Sequence, residues 1–482
     1  MDLRIAKIYG ACNPDSPATE QFYVDCSEAR GNNVFVEQIR DHIVLANASM
    51  HDFSDADDFK CFLFTGHSGC GKSSELKKLV RKLSSHAEDS RFYPIFIDAN
   101  EYLDKFDVTI TDIFLAIATE TAHILQEDES IKLKGAFFGR VIEKLKGVFT
   151  DWEIEKMQIE MPYGLPKLDI KRLAKDESAR DKVRKALKED TYLLLQEINK
   201  LLTAAREAAK NLEAHGTSRN YQDIVLVLDN LEKIEKFDKG ETGLDSARRL
   251  FLNYSNQLNS IKSHIIYTVP IDLMRSSHAS VLGTLYDKSF VLPMVKVFKR
   301  DGKTPFPVGV NLMKEILTKR LGELKREEAF ENEAVDLLIN FSGGHIRSFL
   351  TFAREACTDA GSLPITSDNV NYAINSEYQN ISPNFFPTYT WDVLAKLDLS
   401  SNRDVGVEPE QCVEVLEKLL LFEYINGDDK SVKDLKDRNR QIPWYAVNPI
   451  YRELDQFQQA KEKLLQEAEN ESEQNDDQKE TG

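Results

Sequence analysis

Two hydrophobic patterns alternate along the first 300 residues. Short unbroken apolar runs at 61–64, 92–97, 224–228 and 265–269 read as strands buried on both faces of a parallel sheet. Between them, apolar residues recur every three to four positions. Leu76, Leu79, Val80 and Leu83 share one side of a helix, with Lys77, Lys78, Arg81 and Lys82 on the other, and helical patterns also span 111–126 and 243–261. Strands alternating with helices of this length predict a doubly wound parallel sheet, an α/β domain whose ligand site lies at the carboxyl ends of the strands. Residues 129–219 interrupt it as a mostly helical insertion. The last helix of that insertion, 178–215, carries Leu194, Ile198, Leu201, Ala205, Ala208 and Leu212 as a seam. The seam is under three heptads, which predicts a hairpin within the chain rather than a coiled-coil dimer.

After Pro305-Phe306-Pro307 the strand pattern stops. Four helical segments, 310–324, 331–341, 345–359 and 367–379, predict a compact helical lid. Two more helices, 389–399 and 409–421, precede apolar runs at 422–425 and 444–447 that flank a polar tip, a pattern resembling a winged helix. The expected division is an N-terminal arm at 1–58, the α/β domain at 59–305, the lid at 306–383, the winged-helix-like unit at 384–455 and an acidic tail at 456–482. Eight acidic and three basic residues crowd 461–482, with almost nothing apolar after Leu465, so the tail is expected to be a frayed helix running into disorder.

The first strand runs directly into Gly66-His67-Ser68-Gly69-Cys70-Gly71-Lys72-Ser73-Ser74, a G-x-x-x-x-G-K-S loop that opens a helix. Glycines let successive N–H groups turn inward on phosphates, and the helix adds the positive end of its dipole. In such a loop Lys72 reaches the β- and γ-phosphates of ATP and the Ser73 hydroxyl ligates Mg2+. The third strand ends in Asp229-Asn230-Leu231-Glu232 and looks like a Walker B strand, a resemblance that implies Asp229 as a magnesium ligand. Cys70 lies near Lys72 and a helix N-terminus, an arrangement that favours thiolate, although a small residue filling the loop is the simpler reading.

Composition narrows the field. The 482 residues carry a net charge of −18, which disfavours broad nucleic-acid affinity. One exception is 167–188, with nine basic and four acidic residues. Six cysteines form no C-x-x-C pair and share no metal spacing with the nine histidines, so reduced thiols are expected. No apolar run reaches the ~18 residues a membrane span requires and the N-terminus lacks a signal-peptide core, so a cytoplasmic location is expected.

Phosphate loop, Walker B strand, a polar Thr268 on the next strand, a lid carrying Gly343-Gly344-His345-Ile346-Arg347 and then a winged helix: in that order these parts resemble the AAA+ ATPases. The branch shared by origin-recognition-type initiators and STAND signalling NTPases is the nearer likeness. The resemblance spans about residues 34–452 and implies Thr268 as sensor 1 and Arg347 as sensor 2, reaching the γ-phosphate. Two departures bear on hydrolysis. Asn230 stands where typical motors carry a second carboxylate, so the resemblance implies Glu232 as the base, with Asn230 orienting the nucleophile. Arg275 and Lys288 lie in the region where an arginine finger is supplied, but in no recognisable motif. Slow hydrolysis is the expectation.

Two functions follow. The first is an ATP-driven, STAND-like switch controlling self-assembly into a homo-oligomer or a protein partner, as the ATPase arm of a bacterial defence or stress module. The alternative is a DNA-associated initiator or loader. Residues 386–455 hold nine basic and fourteen acidic side chains, and the expected recognition helix carries Glu408, Glu410, Glu414 and Glu417 against Lys418. That surface would repel phosphates, so a protein contact is favoured and nucleic acid is kept alive by the 167–188 segment.

Overall fold

Two hydrophobic cores, one on each face, pack around a five-stranded sheet. The computed structural model describes residues 2–480 apart from 32–33, 53–57, 86–90, 129–137, 147–175, 188–189, 211–212, 215–216, 219–220, 235–245, 382–385, 401–408 and 427–441. Helix α1 (Leu3–Ala11) and α2 (Phe35–Asp52) precede β1 (Cys61–Gly66) and α3 (Lys72–Ser85). Next come β2 (Tyr93–Asp98), α4 (Ile110–Glu127), α5 (Glu177–Leu187), α6 (Thr191–Lys210) and β3 (Ile224–Asp229). Then β4 (His264–Thr268), the short α7 (Ile271–Arg275) and β5 (Lys288–Leu292) complete the α/β domain. The five strands are parallel in the order β2-β3-β4-β1-β5. Register aligns Asp98 with Asp229 and Phe64 with Thr268, so the strand ends that carry polar residues share one edge.

One face of the sheet packs on α4 and α6 through Ile95, Ile113, Ile117, Leu194, Ile198 and Leu226. The seam of α6 is thus satisfied within the chain; Leu212 lies outside the described residues. The other face carries α2 and α3 through Phe35, Ile39, Leu76 and Leu79.

The lid is α8 (Pro307–Leu321), α9 (Asn332–Ser342), α10 (Ile346–Asp359) and α11 (Ser367–Asn380). Its core includes Ile5, Ile8 and Cys12 of α1. The described residues of the N-terminal arm pack on the rest of the chain: α1 joins the lid core, Ala18 and Tyr23 bond the start of α3, and Arg30 bonds the phosphate loop. The last unit has α12 (Thr388–Leu399), α13 (Pro409–Glu417) and an antiparallel hairpin of β6 (Leu421–Asn426) and β7 (Ile442–Val447). Alternate residues of the hairpin face different cores. Leu421, Tyr445 and Val447 pack with Trp391, Leu394 and Leu416 of the unit's own helices. Phe422, Tyr424, Trp444 and Ala446 join Phe62, Phe64 and Leu292 of the α/β domain.

Several local expectations change. β5 was not expected: it is an edge strand whose Lys288 and Ser289 break the apolar run. The helix expected at 178–215 is two, α5 and α6, and the one at 243–261 is broken by a π-helical stretch, Arg249–Asn253. The tail forms the helix α14 (Asp455–Glu480). Phe457 and Ala460 anchor its first turns on the winged unit, and its Glu, Gln and Lys content suits a helix.

Candidate functional site

β1 is buried throughout and delivers the loop at the sheet's polar edge, where α3 begins at Lys72. Gly69 has φ +81, and a Cβ there would lie 2.6 Å from His345 Nε2 and 2.7 Å from Arg347 Cβ. Only glycine lets the loop pass under the lid turn at this distance. Lys72 Nζ donates to the carbonyls of Gly66 and His67, each at 2.9 Å, and lies 3.1 Å from Glu232 Oε1. Burial opposes both charges, but their mutual attraction prevails: Lys72 is held above its ordinary pKa and Glu232 below, so both are ionised.

Asp229, at the end of β3, accepts the Ser73 hydroxyl; burial and the Glu232 charge together raise its pKa to about 6. Asn230 is left-handed at φ 67 and turns its Nδ2 to Asp98 Oδ1, 2.8 Å away, while its backbone N–H donates to Asp229 Oδ1 at 2.8 Å. Thr268 Oγ1 accepts the Leu231 N–H at 2.9 Å, and the same side chain hydrogen-bonds Glu232. Thr268 thus fixes the turn that carries the expected base.

The lid reaches the loop at its first serine. Gly343, left-handed, ends α9, and Gly344 (φ +81) passes so close to β5's continuation that a Cβ would meet the Val295 carbonyl at 1.8 Å. That turn sets His345 and Arg347 over the loop. Arg347 Nη1 donates to Ser68 Oγ at 2.9 Å, and its backbone N–H to the Gly69 carbonyl at 3.2 Å. His345 Nε2 is 2.7 Å from the Ser68 carbonyl and Nδ1 is 2.7 Å from the Ser348 hydroxyl. Burial and the cations Arg347 and Lys72 lower its pKa to about 4, so the ring is neutral. Because a carbonyl only accepts, the proton sits on Nε2 and Nδ1 accepts from Ser348.

Ser68, Gly69, Gly71, Lys72, Ser73, Ser74, Asn230, Glu232 and Arg347 line one cavity. Three loop residues behave differently. His67 turns its ring away, toward the winged unit, and only its backbone belongs to the loop. Ser74 Oγ accepts the Ala18 N–H at 2.9 Å. Cys70 is buried, with its pKa raised by that burial, which corrects the thiolate expectation: neighbouring cations cannot offset the loss of water around a buried sulfur. Thr268 and Asp229 stand behind the cavity wall.

Sequence reasoning missed several residues here. Arg30 is buried, donates from Nη2 to the Cys70 carbonyl at 2.6 Å and pairs with Glu75 at 3.3 Å; Tyr23 donates to the other Glu75 oxygen at 2.9 Å. These contacts pin the loop from below. Their partners are 40 to 52 residues away in sequence, so no local pattern marks them. Asp98 ends β2 as Asp229 ends β3, a signal that was legible.

The oxygen donors suit magnesium. Among the described residues no group of three or more His, Cys, Asp or Glu could hold a metal ion, so an ion at Ser73 and Asp229 depends on phosphate oxygens and water, as Mg2+ does in nucleotide sites. Glu232 Oε2 is a buried acceptor without a hydrogen-bond partner, which fits a water to be oriented. Arg275 and Lys288 are engaged within the chain, Arg275 with Glu423 and Lys288 with Gln38 and His42. Of the basic segment, 167–175 and Lys188 lie outside the described residues, while Arg180 and Arg184 pair with Asp104, Asp107 and Asp112.

No family model and no curated protein matches the chain by sequence. Solved structures do align with it. Orc2 of Aeropyrum pernix, determined with ADPNP and ADP, is 11% identical, covering 89% of this chain and 94% of its own, with a TM-score of 0.40. Cdc6p of Pyrobaculum aerophilum is 11% identical over 95% of this chain and 98% of its own, TM-score 0.39. A Walker-type ATPase of Pyrococcus abyssi is 14% identical over 89% and 98%, TM-score 0.39.

Proposed function

We propose that this chain is a magnesium-dependent P-loop ATPase of AAA+ type that binds ATP and hydrolyses it slowly. The observation that carries the reading is the convergence of Lys72, Ser73, Glu232 and Arg347 on one cavity, with Asp229 bonded to Ser73 behind it. Loop N–H groups and Lys72 would hold the phosphates, and Ser73 and Asp229 would hold Mg2+, which neutralises charge between them. Glu232, kept ionised by Lys72, would orient the attacking water, and Arg347 would turn from Ser68 to the γ-phosphate. Arg275 is held inside the chain by Glu423 rather than offered as an arginine finger, which supports a slow rate. Titration with a fluorescent ATP analogue, with and without Mg2+, tests the reading; a chain that binds no nucleotide overturns it.

Two uses of such an ATPase remain. An ATP-driven switch acting on self-assembly or a protein partner is supported by the acidic charge of α13, where Glu414 and Glu417 outweigh the adjoining Lys418, and by the packing of that helix against α7 within the chain. A DNA-associated initiator or loader is supported by the winged-helix order of α12, α13, β6 and β7. Light scattering with and without ATP, beside a duplex-binding salt titration, separates them: a change in mass supports the switch, and tight salt-sensitive binding supports the DNA reading.

A further inference from the structure

We propose that Glu423, on the winged hairpin, is a positioning residue for the phosphate loop, acting through His67. The inference rests on the reading of the loop as an ATP site. Glu423 is fixed on three sides. Its backbone N–H donates to His67 Nε2 at 2.9 Å, and its carbonyl accepts the Met294 N–H at 2.9 Å, just beyond β5. Its carboxylate, 0% exposed, receives both Nε and Nη2 of Arg275 on α7, with Nε at 2.7 Å. A buried carboxylate with a two-pronged arginine has little freedom to move.

The neighbours of Glu423 reach the same corner. The Phe422 ring lies edge-on to the His67 ring, centroids 6.2 Å apart, and 5.6 Å from that of His345. Tyr424 donates its hydroxyl to the Gly343 carbonyl at 2.5 Å, in the lid turn. Residues 422–424 therefore touch the phosphate loop, the lid turn and α7 together. The tether matters because His67 is the second loop residue and its carbonyl already accepts Lys72 Nζ. Holding the ring fixes the backbone from Gly66 to Ser68, and with it the position of Lys72 and of the serine that Arg347 grips. Burial keeps the His67 ring neutral, its pKa lowered to about 3, so Nε2 remains an acceptor at any working pH. Docking of the hairpin and binding at the loop thus share one element, and each must favour the other by the same factor.

The test uses the full chain. ATP affinity is measured by titration, and hydrogen exchange of the 421–426 amides is followed with and without ATP. In the wild type, ATP is expected to slow that exchange. His67→Leu, which removes the acceptor, should weaken ATP binding about fivefold, the worth of one hydrogen bond, and erase the effect of ATP on exchange. Arg275→Ala lies outside the nucleotide cavity, so it tests the same path even if the loop variant folds poorly. It should weaken ATP binding by a similar factor and add little to His67→Leu in the double variant. His67→Gln, which returns an acceptor near Nε2, should recover part of the ATP-dependent protection, a recovery that a purely structural role would not give. Wild-type ATP affinity in Arg275→Ala, or undiminished ATP-dependent protection in His67→Leu, would overturn the inference. A wild type that binds no ATP fails the site reading itself and takes this inference with it.

Discussion

The Lys72 and Glu232 side chains are enclosed 3.1 Å apart, and their mutual attraction helps keep both charged against burial. Lys72→Ala therefore removes the phosphate-pairing charge and strands a carboxylate, and ATP binding by titration should be lost. Glu232→Gln keeps the shape but not the base: binding should persist while single-turnover hydrolysis slows by about 10²-fold or more. Asp229 adds a pH dependence. Because its pKa is raised to about 6, it holds a proton below that pH and is a free carboxylate above it. A metal ligand must be deprotonated, so the magnesium-dependent part of ATP binding should fall as pH drops through about 6 and become flat in Asp229→Asn. A profile unchanged by that substitution would assign the magnesium elsewhere. Arg30 belongs to stability as much as to binding. Removing one side of its buried pair with Glu75 leaves an uncompensated charge, so Arg30→Ala should cost about 3 kcal/mol in denaturant unfolding.

Among the elements, the hairpin β6–β7 decides how the units are joined. Trp444 is fully buried and stacks on Tyr424, ring centroids 4.6 Å apart, on the face turned to the α/β domain. Its own unit's core uses the alternate positions, so Trp444→Ala should undock the hairpin without unfolding α12 and α13. A loss of about 3 kcal/mol or more and early proteolytic cleavage near the unit boundary are expected. The turn 343–345 plays the same part for the lid: a Cβ at Gly69 would collide with His345 and Arg347, and Gly69→Ala should push the lid off the loop. Small-angle scattering that detects no expansion in that variant would count against a lid held by this contact.

Across the whole molecule, charge and packing weigh differently on the two uses of ATP. Arg180 and Arg184 neutralise an aspartate cluster beside α4, so they add little to any phosphate-binding surface. Duplex binding at physiological salt is expected to be weak, and reversing Lys182 together with Lys167, Lys171, Arg172 and Lys175 should change it little. If those residues grip a backbone instead, affinity will fall with salt at a slope near −0.9 per contact. Among the described residues no helix is long and apolar enough to cross a membrane.

Patterns local in sequence determined much of this. The apolar runs at 61–64 and 224–228 make strands wherever the sheet forms, and a glycine-rich loop between a strand and a helix can curl in few ways, so the placing of Lys72 and Ser73 at the start of α3 was legible from spacing, while Asp229 was singled out by its strand's likeness to a Walker B strand. The order of the lid helices and the hairpin was legible for the same reason. What lay beyond reach depends on contacts distant along the chain. The edge strand β5 alternates too weakly to announce itself, and α1 looks like an arm until the lid gives its Ile5 and Ile8 somewhere to pack. Nothing local in the sequence marks Arg30 or Glu423. Only the fold, by burying each against a partner 45 and 148 residues away, turned them into supports of the phosphate loop.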